Sequence, residues 1–171
     1  MLKIQVFDNF FDNFNNMEKD FKSIKLYPLE EFNKKNNTND TWPGFRSDAL
    51  DKSNPFLFNL FIKEFKQKFN FKRSFNLSLY MHLRLAEHTE QDFIHIDLCN
   101  LGTIVYLQTN LESGTNFYND DSDEVNMKIQ MVKNRCILFD SKIRHKSQLN
   151  FGKNIEDGRL TLNGFIHYLN G

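Results

Sequence analysis

The spacing of apolar residues changes near residue 74, and this change constrains the fold more than any other feature of the chain. From there onward apolar and polar residues alternate in short runs that are separated by Gly, Asn and Asp turn residues. Short alternating runs with regular turn signals predict an antiparallel sandwich or barrel, and about eight strands are typical of a double-sheet jelly roll. The predicted strands are 74–85, 93–98, 102–108, 115–118, 126–132, 135–140, 144–149 and 159–168.

The first 73 residues have a mixed pattern. Residues 3–7 alternate as a short strand does, and residues 16–27 are compatible with a helix. The polar segment 30–55, rich in Asn with Pro and Gly, is expected to be a long loop. Residues 55–69 begin with a proline and predict an amphipathic helix that covers the outer face of one sheet. Its apolar stripe consists of Phe58, Phe61, Ile62, Phe65 and Phe69.

Length and charge narrow the class of protein. The chain has 171 residues and neither an internal repeat nor a linker, so we expect a single domain over 1–171. Residues 1–73 would form an N-terminal helical support and loop, and residues 74–168 the jelly-roll catalytic core. Lys and Arg number 22, as do Asp and Glu, so no overall positive field favours nucleic-acid binding.

The cysteines and the N-terminus indicate the compartment. Cys99 and Cys136 have neither the number nor the spacing of a disulfide framework, and we expect buried thiols in a reducing environment. The N-terminal residues lack the basic start and apolar stretch of a signal peptide. No apolar run approaches the ~20 residues of a membrane helix. We therefore expect a cytoplasmic protein that does not contact a membrane.

The predicted strand 93–98 places two polar side chains in an apolar run. Since side chains alternate along a strand, His95 and Asp97 would share one face, and Ile94, Ile96 and Leu98 would be buried on the other. An inward polar pair is costly unless something satisfies it. By itself the pair is consistent with a structural hydrogen bond or with two ligands of a metal ion.

His145 is a third candidate ligand, fifty positions after His95 and directly after the apolar run "CILF". Two imidazoles and one carboxylate leave several metal positions open, which suits non-haem Fe(II). A structural zinc site would need four ligands, and Cys99 is close enough in sequence to keep zinc as an alternative.

The last predicted strand carries Arg159, Thr161, Asn163 and Phe165 on one face. If that face points inward, the guanidinium needs an anion, which a dicarboxylate could supply while its other end binds the metal. Alternatively, Arg159 lies at the surface and pairs with Glu156 or Asp157.

Five segments resemble, in order, the motifs of the Fe(II)/2-oxoglutarate-dependent dioxygenases, specifically the prolyl 4-hydroxylase-like branch. The resemblance implies a double-stranded β-helix (jelly roll) that uses Fe(II), the cosubstrate 2-oxoglutarate and O₂. The segments are "HID" (95–97), "IVYLQ" (104–108), "SGTNFY" (113–118), "NRCILFDSKIRHKS" (134–147) and "GRLTLNGFI" (158–166).

The resemblance also implies residue roles. His95, Asp97 and His145 would bind iron. Arg159 would bind the distal carboxylate of 2-oxoglutarate with help from the Tyr106 hydroxyl. Thr161, which shares the predicted face of Arg159, would line the same pocket.

The segment "LRLAEHTEQDF" (83–93) departs from this branch, because it lacks the Tyr and Gly that often precede the His-x-Asp element. The group that meets the iron-proximal carboxylate is therefore not identified, and Arg84 and His82 are the candidates.

The resemblance implies hydroxylation of a peptidyl, prolyl-type substrate with release of succinate and CO₂. Two alternatives remain: hydroxylation of a free amino acid or other small molecule, and a non-catalytic jelly-roll binding or structural protein. The segment 30–55, with "TWPGFRSD" at 41–48, is either a substrate lid or a surface loop.

Overall fold

The computed structural model describes residues 4–88 and 93–169, which form ten strands and four helices. The helices are α1 (Phe14–Ser23), α2 (Leu29–Asn36), α3 (Leu50–Ser53) and α4 (Pro55–Lys68). The strands are β1 (Ile4–Phe7), β2 (Leu26–Pro28), β3 (Phe45–Ser47), β4 (Phe75–Arg84), β5 (Leu101–Tyr106), β6 (Asn110–Tyr118), β7 (Val125–Met131), β8 (Cys136–Asp140), β9 (His145–Ser147) and β10 (Arg159–Tyr168).

The strands form two antiparallel sheets. The larger sheet has seven strands in the order β1-β8-β5-β10-β4-β3-β2, and the smaller has three in the order β7-β6-β9. Crossovers of this kind are those of a jelly roll, in which neighbouring strands come from distant parts of the chain. The predicted fold, a mainly β jelly roll, is confirmed.

Strand β10 shows how the alternation of its residues directs them to two environments. It lies between β4 and β5, with Arg159 opposite Arg84 and Thr161 opposite Tyr106. Leu160 and the other outward residues belong to the apolar cluster beneath the helices, whereas Tyr106 belongs to a second cluster with residues of the smaller sheet. Because directly paired residues point to the same face, Arg159 and Thr161 also point inward, between the sheets.

The helices cover the outer face of the large sheet, as expected. Phe61 and Phe65 of α4 are fully buried, and Phe21 of α1 almost fully, in one cluster with Leu79 and Met81 of β4. Burying an aromatic side chain of this size contributes roughly 1.5–3 kcal/mol. The helical stripe read from the Phe spacing therefore anchors α4 on the sheet.

The segment 30–55 is not the long loop that its composition predicted. It contains most of α2, all of β3 and α3, and the first residue of α4. Phe32 is the only residue of α2 that is buried, so no apolar periodicity marks this helix in the sequence. The first 73 residues therefore contribute three strands, β1, β2 and β3, to the large sheet, in addition to the helices that support it.

The predicted strand 93–98 is also wrong. Only His95 makes a β-type bridge, with His145, and the residues around it are irregular. Phe93, Ile96 and Leu98 are 58%, 45% and 89% exposed rather than buried. Their apolar character reflects a surface beside a cavity and does not mark the core.

Cys99 and Cys136 are buried free thiols, as expected. None of the described helices is both long enough and apolar enough to span a membrane.

Candidate metal centre and cosubstrate cavity

Three side chains that the sequence singled out converge at the end of the sandwich. His95 Nε2 lies 3.8 Å from Asp97 Oδ1, and His145 Nε2 lies 3.5 Å from Asp97 Oδ2. One ligand atom from each of the three residues lies within 4.8 Å of the other two. These are separations that a single ion between the three groups can close.

Backbone hydrogen bonds hold the three residues in place. The His95 amide donates to the His145 carbonyl at 3.1 Å, and the His145 amide donates back to the His95 carbonyl at 2.9 Å. The Asp97 amide donates to the Ser141 carbonyl at 2.9 Å. These bonds fix the backbone of both histidines and of the aspartate.

Each imidazole is oriented by its other nitrogen. His95 Nδ1 lies 2.9 Å from the Phe93 carbonyl oxygen, and His145 Nδ1 lies 2.9 Å from the Ile143 carbonyl oxygen. A carbonyl only accepts, so Nδ1 carries the proton and Nε2 presents a lone pair toward Asp97. Burial lowers the pKa of His145 against the opposing effect of Asp97, and the neighbouring His95 lowers it further. The lowered pKa favours the neutral imidazole, which is the form that binds a metal.

The donor set fits non-haem Fe(II) better than structural zinc. In the described part of the chain, the cluster consists of two imidazoles and one carboxylate. The Cys99 thiol, kept as a possible fourth ligand, instead donates to the Leu101 carbonyl at 3.3 Å. A structural zinc site needs four protein ligands, whereas the two-histidine, one-carboxylate set leaves positions open for small molecules.

Arg159 is buried between the sheets, and one of its terminal nitrogens donates to the Gly114 carbonyl at 3.1 Å. The surface pairing considered from the sequence is wrong. Glu156 bonds Lys22 at 2.5 Å, and Asp157 accepts from the amides of residues 153 and 154. Arg159 therefore points inward, and its binding of a carboxylate stays a prediction.

Tyr106 and Thr161 lie opposite each other deep between the sheets. The Tyr106 hydroxyl donates to Thr115 Oγ1 at 2.8 Å, and burial raises its pKa to about 12, so it stays protonated. Thr161 Oγ1 is buried and makes no hydrogen bond within the described residues. Thr115, which sequence reasoning missed, lines the cavity itself. The roles of Tyr106 and Thr161 toward 2-oxoglutarate stay predictions.

A cavity of about 750 Å³ connects the three candidate ligands with Arg159, whereas Tyr106 and Thr161 are not among its lining residues. Its volume is within the range that small-molecule sites occupy. The three candidate ligands line it together with Arg159 and Asn163 from β10. Strand residues such as His82, Arg84 and Thr115 also line it, and the segments that the sequence misassigned contribute Trp42, Pro43, Arg46, Phe93 and Ile96.

Arg46 is a second cavity residue that sequence reasoning did not identify. Its Nε donates to His82 Nε2 at 2.7 Å, and its Cζ lies 4.3 Å from the Trp42 ring centroid and 5.0 Å from that of Tyr80. Burial lowers the pKa of Arg46 to about 10, against the opposing charge of Asp40. No sequence signal reveals this position, since the packing that encloses Arg46 comes from β4 and α2.

His82 and Arg84, the two candidates for the iron-proximal carboxylate, both line the cavity. His82 is partly buried, and desolvation together with the Arg46 charge holds its pKa well below the usual range. It is therefore neutral and accepts the Arg46 hydrogen bond. His88 has a structural role, since its Nδ1 accepts from the Leu85 amide at 2.8 Å.

No protein-family model matches the chain, and no curated protein does. Solved structures of 2-oxoglutarate/Fe(II) oxygenases do match. An oxidoreductase of that family from Burkholderia pseudomallei aligns over 98% of this chain and 85% of its own, with a TM-score of 0.63 and 11% identity. A prolyl-4-hydroxylase from Pseudomonas putida aligns over 99% and 95%, with a TM-score of 0.57 and 13% identity.

HygX from Streptomyces hygroscopicus, solved with nickel, 2-oxoglutarate and hygromycin B, aligns over 97% of this chain and 83% of its own. Its TM-score is 0.63 at 9% identity. Identities this low support a common fold and nothing finer. The protein thus has the jelly-roll fold of the 2-oxoglutarate/Fe(II) oxygenases, as the resemblance of its motifs implied.

Proposed function

We propose that the protein is an Fe(II)- and 2-oxoglutarate-dependent oxygenase that hydroxylates its substrate. The observation that carries this proposal is the convergence of His95, Asp97 and His145, with both Nε2 atoms turned inward, in the same cavity as buried Arg159. A fold that positions a metal-binding triad and a buried cation around one cavity suits a metal-chelating dicarboxylate.

In this proposal, one set of residues binds the metal and another binds the cosubstrate. His95, Asp97 and His145 would hold Fe(II), and Arg159 would bind the distal carboxylate of 2-oxoglutarate through its planar fork. When bound, the iron with 2-oxoglutarate and O₂ supplies the oxidising chemistry, with succinate and CO₂ as co-products. Tyr106 and Thr115 would support the closed end of the cosubstrate pocket through their hydroxyl–hydroxyl bond.

The substrate is a separate question. A peptidyl, prolyl-type substrate stays a prediction, since it rests on resemblance to one branch of a fold that serves many substrates. A small-molecule substrate is the second candidate, and the charge that Arg46 brings to the cavity favours it. A cytoplasmic location is likewise a prediction.

The test is an anaerobic titration of the protein with Fe(II) and then 2-oxoglutarate. We expect a weak visible charge-transfer band from chelated cosubstrate, and succinate formation once O₂ is admitted. Asp97→Ala should lose iron, the band and activity. Asp120→Ala, in the exposed turn after β6, is the matched control and should behave as wild type.

Equal iron content in wild type and Asp97→Ala would refute the triad. Iron binding without a 2-oxoglutarate band would instead support the third hypothesis, a non-catalytic jelly-roll protein that binds a metal.

A further inference from the structure

We propose that Arg46 binds the carboxylate of a small, largely apolar substrate in the cavity beside the metal centre. The inference rests on the proposed oxygenase function and deepens it by naming a substrate class. Arg46 lies in β3 of the N-terminal segment and is not one of the residues that the sequence motifs identify.

The Arg46 guanidinium is rigidly held, yet its outer edge is available. Nε is occupied by His82, and the rings of Trp42 and Tyr80 lie beside the guanidinium plane. Nη1 lies 3.8 Å from Asp40 Oδ2, which is beyond hydrogen-bond distance. Across residues 4–88 and 93–169, neither terminal nitrogen donates a hydrogen bond, although the side chain is only 12% exposed. A guanidinium fixed at Nε, with its outer edge of two terminal nitrogens available, is prepared for a planar acceptor.

The charges around Arg46 favour an anion of low charge. His82 is neutral and offsets nothing, and Asp97, which acts on Arg46 through space, is committed to the metal. Asp40 is 39% exposed and screens the guanidinium only in part. A buried guanidinium is costly without an anionic partner, and Asp40, 3.8 Å from Nη1, meets that need only in part. A single carboxylate matches both the charge and the planar shape.

The cosubstrate leaves this cation available. In the proposed function, one carboxylate of 2-oxoglutarate binds at the metal and the other at Arg159. Arg46 belongs to β3 at the far side of β4 from β10, so it lines a different wall of the cavity. A third carboxylate, supplied by the substrate, would occupy it.

Apolar side chains line part of the cavity, alongside the polar residues Thr38 and Thr41. Phe93 and Ile96 are exposed and line the same cavity, as does Pro43. Burying apolar ligand surface against these side chains contributes about 25 cal/mol per Å². Because the 750 Å³ are shared with the cosubstrate, the substrate that fits is a small carboxylic acid with an aliphatic or aromatic group.

Trp42 is the only tryptophan of the chain and contacts the Arg46 guanidinium, so its emission reports binding there. We would titrate the anaerobic Fe(II) protein, saturated with 2-oxoglutarate, with five carboxylates and their amides. The probes are butanoate, 3-methylbutanoate, 4-methylpentanoate, L-leucine and phenylacetate. At least one acid should change the emission saturably and bind about tenfold or more tightly than its amide, the loss expected for a charge-assisted hydrogen bond.

Variants assign the effect to Arg46. Arg46→Gln should remove the preference for acid over amide, and Arg46→Lys should retain part of it, because an ammonium keeps the charge but not the fork. Arg135→Gln is the matched control, since Arg135 pairs with Asp8 at the surface and should leave binding unchanged. If Arg46→Gln does not fold, the Lys variant and the acid–amide comparison in wild type still decide.

Equal binding of acids and amides, or no binding of any acid, would overturn the inference while the 2-oxoglutarate band remains. Loss of that band in Arg46→Gln would also overturn it and assign Arg46 to the cosubstrate. Absence of the band in wild type would instead refute the proposed function itself.

Discussion

Replacing Arg159 tests the cosubstrate site most directly. Arg159→Gln keeps a polar side chain between the sheets but removes the charge that the distal carboxylate of 2-oxoglutarate would meet. A hydrogen bond to a charged group contributes roughly 1.5–3 kcal/mol, and about 2 kcal/mol corresponds to a thirtyfold loss of affinity. Iron binding should be unchanged, because Arg159 is not among the three clustered ligands.

Thermal unfolding of the Fe(II) protein measures this loss. With 2-oxoglutarate at a hundred times the wild-type Kd, ligand binding stabilises wild type by about 2.7 kcal/mol. A thirtyfold weaker Kd leaves [L]/Kd near 3, and the stabilisation falls to about 0.9 kcal/mol. For a chain of this length, the cosubstrate-induced rise in Tm should therefore shrink from about 8 °C to about 3 °C. Arg159→Lys should lie between the two.

Arg135→Gln controls for the loss of an arginine, since its ion pair with Asp8 is at the surface. A full Tm shift in Arg159→Gln would refute the reasoning. Arg84, which pairs with Arg159 across β10 and β4, would then be the next candidate for binding the distal carboxylate.

Two further perturbations test the packing around the centre. In Gly102→Ala the new Cβ would lie 2.4 Å from Phe139 Cζ, and the Phe139 ring is packed 4.7 Å from that of His145. This overpacking should lower the free energy of unfolding in urea by about 1–3 kcal/mol and weaken iron binding. If both quantities are unchanged, this packing is contradicted. His82 titrates with a lowered pKa, so the folded state stays neutral while the unfolded state takes a proton below about pH 6.5. The free energy of unfolding of metal-free wild type should fall as pH drops from 7.5 to 5.5. The difference in that free energy between wild type and His82→Gln should shrink by about 1.4 kcal/mol over the same range. A difference that does not depend on pH would show that His82 is not held neutral.

The parts of the site that lie on regular strands could be predicted from the sequence. Alternation alone separates Arg159 from Leu160, because the strand has only two faces and one of them is apolar. The motifs also identified three candidate ligands, which the fold brings within 4.8 Å of one another.

What could not be predicted depends on contacts between distant segments. The Arg46 side chain is largely enclosed by Phe32, Trp42 and residues of β4, and none of these contacts leaves a periodic pattern. Phe93 and Ile96 led to the wrong prediction of a buried strand over 93–98. Apolar residues around a cavity cannot be distinguished by composition from those of a buried strand.

The N-terminal strands have a further consequence for the exposed edges of the large sheet. They occupy both borders of the seven-stranded sheet: β1 caps β8 on one side, while β3 and β2 cap β4 on the other. The outermost pieces, β1 and β2, have four and three residues, and β2 ends at Pro28, which has no amide hydrogen to offer. Short borders of this kind discourage sheet-to-sheet aggregation. Cutting the chain before β4 to isolate its core would uncover the long backbone edge of that strand together with the Leu-rich face beneath the helices, and the fragment would be prone to aggregate.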